Sequence, residues 1–367
     1  MSTTPDLLYQ ISLKLIPGIG DVLIKNLLAY CGSVEAVFKE RRGALQAIPG
    51  IGSVLAENIF SYRNFEQAQK ELAFIEKHHI QTYFYLDEAY PNRLRDIVDA
   101  PCLLYGLGNF DLNPPRLVGI VGTRRGTDYG RSFTQKLVQG LKDYNVTVVS
   151  GLAMGIDGIA HKACLENGVT NIGVLAHGLD RIYPSAHQGM AKKMLANGGL
   201  LSEFPSGTNP DRENFPKRNR IVAGLADVLV VPETAIKGGA RITCEIAHSY
   251  NKDIMVLPGR VGDYYSQGCN YLIQCNKASM ITCLDDLVQL MAWENKATKT
   301  KAPVDLLSQL DAGETKLVGH IRSKVKANLD EMAYELNMDP GTLALKLLEL
   351  EFAGFVRSLP GKTFELS

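Results

Sequence analysis

The stretch LVGIVGTRRGTDYG, residues 117–130, joins a five-residue apolar run to a short turn of glycines and arginines, then to the start of a helical pattern near Tyr129. An unbroken β-branched run of this length is what a strand buried on both faces requires. A glycine-rich turn feeding a helix leaves backbone N–H groups free to face an anion. The same grammar recurs downstream. VTVVS (146–150) leads into Ser150-Gly151-Leu152-Ala153-Met154-Gly155 and a helix over 156–167; NIGVLA (171–176) leads into Gly178-Leu179-Asp180. DVLVV (227–231) leads into Lys237-Gly238-Gly239, and DIMVLP (253–258) into Gly259. Strands alternating with helices predict a doubly wound α/β sheet over 86–292, with ligands beyond the C-terminal strand ends.

The flanks read differently. Residues 1–85 read as helical and contain an internal echo, LIPGIGDVLIKNLL (15–28) and AIPGIGSVLAENIF (47–60). Each copy is a helix–hairpin–helix turn whose glycines permit a tight bend and whose second helix offers N–H groups to a phosphate. Lys14 and Lys25 beside the first copy make it the expected phosphate binder, leaving the second as structural. Residues 293–302 read as a polar linker. Over 303–367, Asn328 with Glu331, then Asp339-Pro340, mark two helix starts, and GFVRSLPGKTFEL (354–366) reads as a hairpin, together a winged helix.

The chain has 367 residues with 39 basic and 39 acidic side chains, so bulk charge cannot hold a polyanion and any nucleic-acid site must be local. No apolar run approaches a membrane span, and MSTTPDLLYQ lacks the features of a signal peptide. The seven cysteines form no C-x-x-C pair, so neither metal nor disulfide framework is expected, and a reducing cytoplasm fits best. The spacing G-x-x-x-G after the first strand is not a dinucleotide fingerprint; P-loop and zincin motifs are missing too, and no cofactor is expected. The concentrated charge lies in RENFPKRNR (212–220), read as a basic loop ahead of a helix, where Phe215 can stack on bases beside Lys217, Arg218 and Arg220. A lone His161 is expected to be structural.

In their order these motifs resemble the DprA/Smf family of DNA-processing proteins. The resemblance runs through YPNRL…DAPCLLYGLG (90–108), GIVGTRRGTDYG (119–130), SGLAMGIDGIAH (150–161), GLDRIYP (178–184), LLSEFPSG (200–207), FPKRNRIVAGL (215–225) and PGR…GCNYLI (258–273). It implies a Rossmann-like core, a helix-hairpin-helix (SAM-like) front domain and a winged-helix end. It further implies a homodimer that binds single-stranded DNA, protects it and loads the RecA recombinase in natural transformation, without catalysis. Carried over by position, the DNA contacts are Arg124 and Arg125, Ser150 and Gly151, and Phe215, Lys217, Arg218, Asn219 and Arg220, with Gly238 and Gly239 lining the same pocket. Two departures stand out. Gly238-Gly239-Ala240-Arg241-Ile242-Thr243 replaces the family's Ser-Gly-Ser-Leu-Ile-Thr, so Arg241 adds a phosphate donor, and Gln274-Cys275-Asn276-Lys277-Ala278 replaces a Gly-Ala stretch.

Two other classes compete. ADVLVVPETAIKGGARITCEIA also resembles the LONELY GUY-type nucleotide phosphoribohydrolases, with Glu245 at the offset of their loop glutamate, although Arg241 and Ile242 would obstruct a nucleotide phosphate. A transcription factor would use the winged helix, but PGTLALKLLELEF carries one lysine and two glutamates and suits a protein partner better than a DNA groove.

Overall fold

The computed structural model describes residues 4–293, 312–324, 326–352, 355–359 and 361–366, so all of the linker 293–302 except Trp293 lies outside the described residues. The chain forms two compact units, Met1–Asn295 and Lys296–Ser367.

The first unit opens with helices Thr4–Leu15, Asp21–Cys31, Val34–Lys39, Arg42–Gln46, Ser53–Ser61 and Glu66–His78. The sequence echo becomes a pseudo-symmetric pair of hairpins. Gly18 and Gly50 take φ of +82° and +86°. Asn26 donates its amide to the carbonyl of Pro49 at 3.3 Å, and Asn58 donates to that of Pro17 at 3.1 Å. Ile11, Leu13, Ile24, Leu27, Leu45 and Ile59 close a core between them.

Nine strands follow: β1 (Gln81–Phe84), β2 (Leu103–Asn109), β3 (Leu117–Ile120), β4 (Thr147–Ser150), β5 (Asn171–Leu175), β6 (Gly198–Ser202), β7 (Val228–Val231), β8 (Asp253–Val256) and β9 (Ser279–Met280). They form one sheet in the order β1-β2-β6-β5-β4-β3-β7-β8-β9. From β6 to β9 all neighbours are parallel; β1 and β2 add an antiparallel edge. The sheet therefore begins inside the stretch read as helical, at Gln81. Along β3 the residues alternate between two cores. Val118 and Ile120 pack with Val148 and Val228 among helices Asp128–Leu141 and Ile156–Asn167. Leu117 packs with Val149 and Leu229 under helices Asn214–Leu225 and Gly239–Ser249. Strands apolar on both faces are the reason the β-branched runs are unbroken.

The helical segment is clamped onto this sheet through its first hairpin. Lys25 Nζ donates to the carbonyls of Ile97 and Val98, each at 3.0 Å. Asp21 accepts from the backbone N–H of Cys102 at 2.8 Å and pairs with Lys14 at 3.3 Å. Both lysines thought to favour phosphate binding are thus consumed in packing, and the first hairpin is the docked one.

In the second unit, helices Ala312–Lys324, Leu329–Glu335 and Pro340–Phe352 pack on a small sheet of β10 (Lys326–Asn328), β11 (Val356–Leu359) and β12 (Thr363–Leu366), in the order β10-β12-β11. This is a winged helix. Asn328 caps its second helix by accepting from Asp330 N–H, and Asp339 accepts from the N–H groups of Gly341 and Thr342 to start the third. Leu345 and Leu348 on that third helix, and Tyr334 before it, remain exposed.

Candidate nucleic-acid interface

The chain order reverses between β3 and β7, because β4, β5 and β6 extend one way from β3 while β8 and β9 extend the other. Crossovers diverge at such a point and leave a crevice beyond the strand ends. A cleft of about 440 Å³ lies there, lined by residues that follow β3, β4 and β7, by one face of helix Asn214–Leu225, and by Tyr264 and Tyr265.

Backbone bonds fix its walls. Thr123 N–H donates to Glu233 O at 2.8 Å and Ile156 N–H to Thr123 O at 3.1 Å, which bolts together the turns after β3, β4 and β7. The approach is so close that a Cβ on Gly155, whose φ is +79°, would fall 2.2 Å from the carbonyl oxygen of Thr123. The helix Gly239–Ser249 starts from Gly238 with no side-chain cap, so its first N–H groups remain available to an anion.

Arg218 is the centre of the cleft wall. It is 6% exposed, with Nε donating to Asn219 Oδ1 at 3.0 Å and Nη1 donating to the carbonyls of Gly151 and Val174. Its Nη2 makes no hydrogen bond among the described residues. Asp157 faces it, accepting from the N–H of Gly151 at 3.1 Å. Burial pushes the Asp157 carboxyl above its ordinary range, opposed by Arg218 and by the N–H groups of Ala153, Gly122 and Gly151; burial likewise pulls the Arg218 guanidinium down. Four cations, Arg124, Arg125, Arg218 and Lys237, line the cleft against the single carboxylate of Asp157. Arg124 and Arg125 are exposed. The Arg124 guanidinium lies 5.4 Å from the centre of the half-buried Phe215 ring, and the Tyr183 ring meets it edge-on at 6.2 Å.

Eight expected contacts therefore share one cleft: Arg124, Arg125, Gly151, Phe215, Arg218, Asn219, Gly238 and Gly239. Four do not. Ser150 is fully buried and donates to Ile120 O at 2.5 Å, so its hydroxyl belongs to the sheet. Lys217 and Arg220 sit on the far side of their helix, and Arg220 is bound to Asp21 and Glu203. Arg241 lies off the cleft, its guanidinium 5.5 Å from the Tyr271 ring. For Lys217 and Arg220 the cause is that residues 214–220 are the first two turns of a helix, not a loop, so successive side chains face different ways. His161 is buried and pushed down to about 4, with Nδ1 bonded to Asn171 Oδ1 at 2.9 Å. Glu245, the candidate acid of the hydrolase reading, does not line the cleft and accepts from Lys277 at 2.7 Å. Asp157, Lys237, Tyr264 and Tyr265 also line the cleft without being expected contacts, although Lys237 stands in the glycine-rich turn after β7 and Asp157 just past the one after β4. Among the described residues no cluster suits a metal ion, and no helix is long and apolar enough to cross a membrane.

Comparison with known proteins agrees with this fold. The model of the family described as DNA recombination-mediator protein A matches residues 81–292; a DprA winged-helix model matches 301–362, and a SAM-like helix-hairpin-helix tandem matches 11–61. The chain is 32% identical to the protein Smf of Synechocystis over 97% of this chain and 98% of that one, and 40% identical to DprA of Streptococcus pneumoniae over 55% and 71%. The X-ray structure of S. pneumoniae DprA superposes with a TM-score of 0.68 at 33% identity, covering 78% of this chain and 98% of that one. DprA of Helicobacter pylori, solved in a study of its single-stranded DNA binding mode, superposes with a TM-score of 0.52 at 31% identity over 59% and 97%. The chain, a Rossmann-like α/β domain between a helix-hairpin-helix tandem and a winged helix, belongs to the DprA/Smf family of DNA-processing proteins.

Proposed function

We propose that the protein binds single-stranded DNA in the cleft at the β3/β7 switch point, protects it and passes it to a recombinase of the RecA type, without catalysis of its own. The observation that carries this reading is the placement of Phe215 beneath Arg124, inside a cleft with four cations and one carboxylate. A positive groove with an aromatic platform holds single strands through phosphates and base faces without reading sequence. An unpaired Nη2 on a buried guanidinium adds a donor directed by its neighbours. The single-stranded DNA binding mode studied in the H. pylori relative supports the choice of single strands, and membership of a family of DNA recombination mediators supports transfer to a recombination step.

The reading includes a homodimer formed through the α/β domain. Exposed apolar side chains at Ile236, Ile242, Val261, Tyr271 and Met280 all follow β7, so the β8–β9 end of the sheet is the favoured contact. Gel shifts with wild type and Arg124→Ala across several salt concentrations test the DNA site. Weaker binding with a shallower salt dependence is expected of the variant, and unchanged curves would refute the site.

A further inference from the structure

The helix Asn214–Leu225 divides two clefts. Phe215, Arg218, Asn219 and Val222 line the one described above, whereas Pro216, Lys217 and Arg220 line a second cleft of about 900 Å³. This second cleft lies between the first hairpin of the helical segment and the α/β domain. Its walls are apolar, with Leu15 and Leu23 on one side and Phe204, Pro205, Ile246 and Tyr250 on the other.

Its charges cancel. Asp21 pairs with Lys14 at 3.3 Å and with Arg220 at 3.1 Å, Glu203 pairs with Arg220, and Asp99 accepts from the Tyr250 hydroxyl at 2.6 Å. Two groups stay unsatisfied. Glu203 is 5% exposed, and its Oε1 has no hydrogen-bond partner. A buried acceptor without a donor is costly and favours a ligand that supplies one. Lys217 is exposed and makes no ion pair among the described residues.

An apolar slot with one unpartnered carboxylate oxygen, whose three cations and three carboxylates sum to zero with Lys217 included, does not suit a run of phosphates. It suits a flat ring that carries N–H donors and hangs from a single phosphate. We propose that this cleft is a second nucleotide subsite for the same single strand, which crosses the helix at Lys217 and places one unstacked base between the apolar walls with an amino or imino group toward Glu203 Oε1. The inference rests on the single-strand reading above and deepens it: one helix would hold two stretches of one strand, on opposite faces.

The test uses the full chain and a series of single strands of increasing length. Ser249→Trp fills the cleft from an exposed position and Val22→Trp fills it from the opposite wall; neither residue lines the first cleft. Strands short enough to occupy only the first cleft should bind both variants like wild type. Longer strands should bind them about tenfold more weakly, the loss of roughly one stacked base. Strands carrying 5-iodouracil, irradiated on wild-type protein, should yield adducts at Phe204 or Tyr250. Equal affinity of folded variants and wild type at every length, or adducts confined to the Phe215 side, would overturn the subsite. Full DNA binding by the variants together with lost recombinase stimulation would assign the cleft to a protein and overturn it too. Failure of wild type to bind strands of any length would instead count against the single-strand reading itself.

Discussion

Arg220 donates to Asp21 across 3.1 Å, joining the helix that borders the switch-point cleft to the first hairpin of the helical segment. Arg218, two residues earlier, points the other way, to the carbonyls of Gly151 and Val174. The basic cluster is therefore divided between two faces of one helix, Arg218 on the switch-point cleft and Arg220 on the hairpin side.

Asp21 should be a stability determinant with a definite pH signature. Burial alone would raise its carboxyl, but Lys14, the Cys102 N–H and Arg220 outweigh burial and hold it below its ordinary value of 3.8. A group depressed in the folded state adds stability that is whole above its unfolded value and disappears as pH falls below it. Asp21→Asn should cost roughly 3 kcal/mol at pH 7, since it breaks a largely buried charge cluster. Denaturant unfolding at pH 7 and at pH 3 checks this: the gap between variant and wild type should narrow at the lower pH.

Gly151→Ala should damage both fold and binding. The added Cβ would fall 2.1 Å from Arg218 Nη1, and that guanidinium is buried and tied to two carbonyls. Overpacking of this kind costs about 1–3 kcal/mol. Thermal unfolding should show the loss, and gel shifts should show weakened DNA binding in the fraction that remains folded.

Phe215→Ala should weaken single-strand binding by about 1–3 kcal/mol, the contribution of a stacked base, while Phe215→Tyr restores most of it. The ring already carries Arg124 on one side, so an aromatic replacement preserves the platform. Fluorescence anisotropy with a labelled oligonucleotide distinguishes the two variants.

Arg124→Ala and Arg241→Ala should differ although both remove one arginine from the α/β domain. Arg124 lines the cleft, and its loss should reduce the slope of log affinity against log salt by about 1. Arg241 lies over Tyr271 outside the cleft, and its loss should leave that slope unchanged.

The five inner strands are legible in the sequence because burial on both faces leaves unbroken β-branched runs, as in β3, β4 and β7. β2 and β6 are not legible, for a physical reason. They pair with Gly108 opposite Gly199, and a Cβ on Gly108 would fall 2.3 Å from Gly198 O. Glycines that let two strands approach look like loop residues in a sequence. At the site, residue types are legible and directions are not. Phe215, Arg218, Asn219 and Val222 follow the 3, 4, 7 spacing of one helix face, which separates them from Lys217 and Arg220 once 214–225 is read as a helix. Ser150 shows the complementary limit, because a serine at a strand end can cap a neighbouring strand as easily as face a ligand.

The central claim is that the switch-point cleft holds a single strand, with Phe215 serving as a base platform that duplex DNA cannot reach. Its most direct test is the affinity of the full chain for single- and double-stranded DNA of equal length and sequence at one salt concentration. The account predicts markedly tighter binding of the single strand, with the difference reduced in Phe215→Ala. Equal affinities, or tighter binding of the duplex, would contradict it.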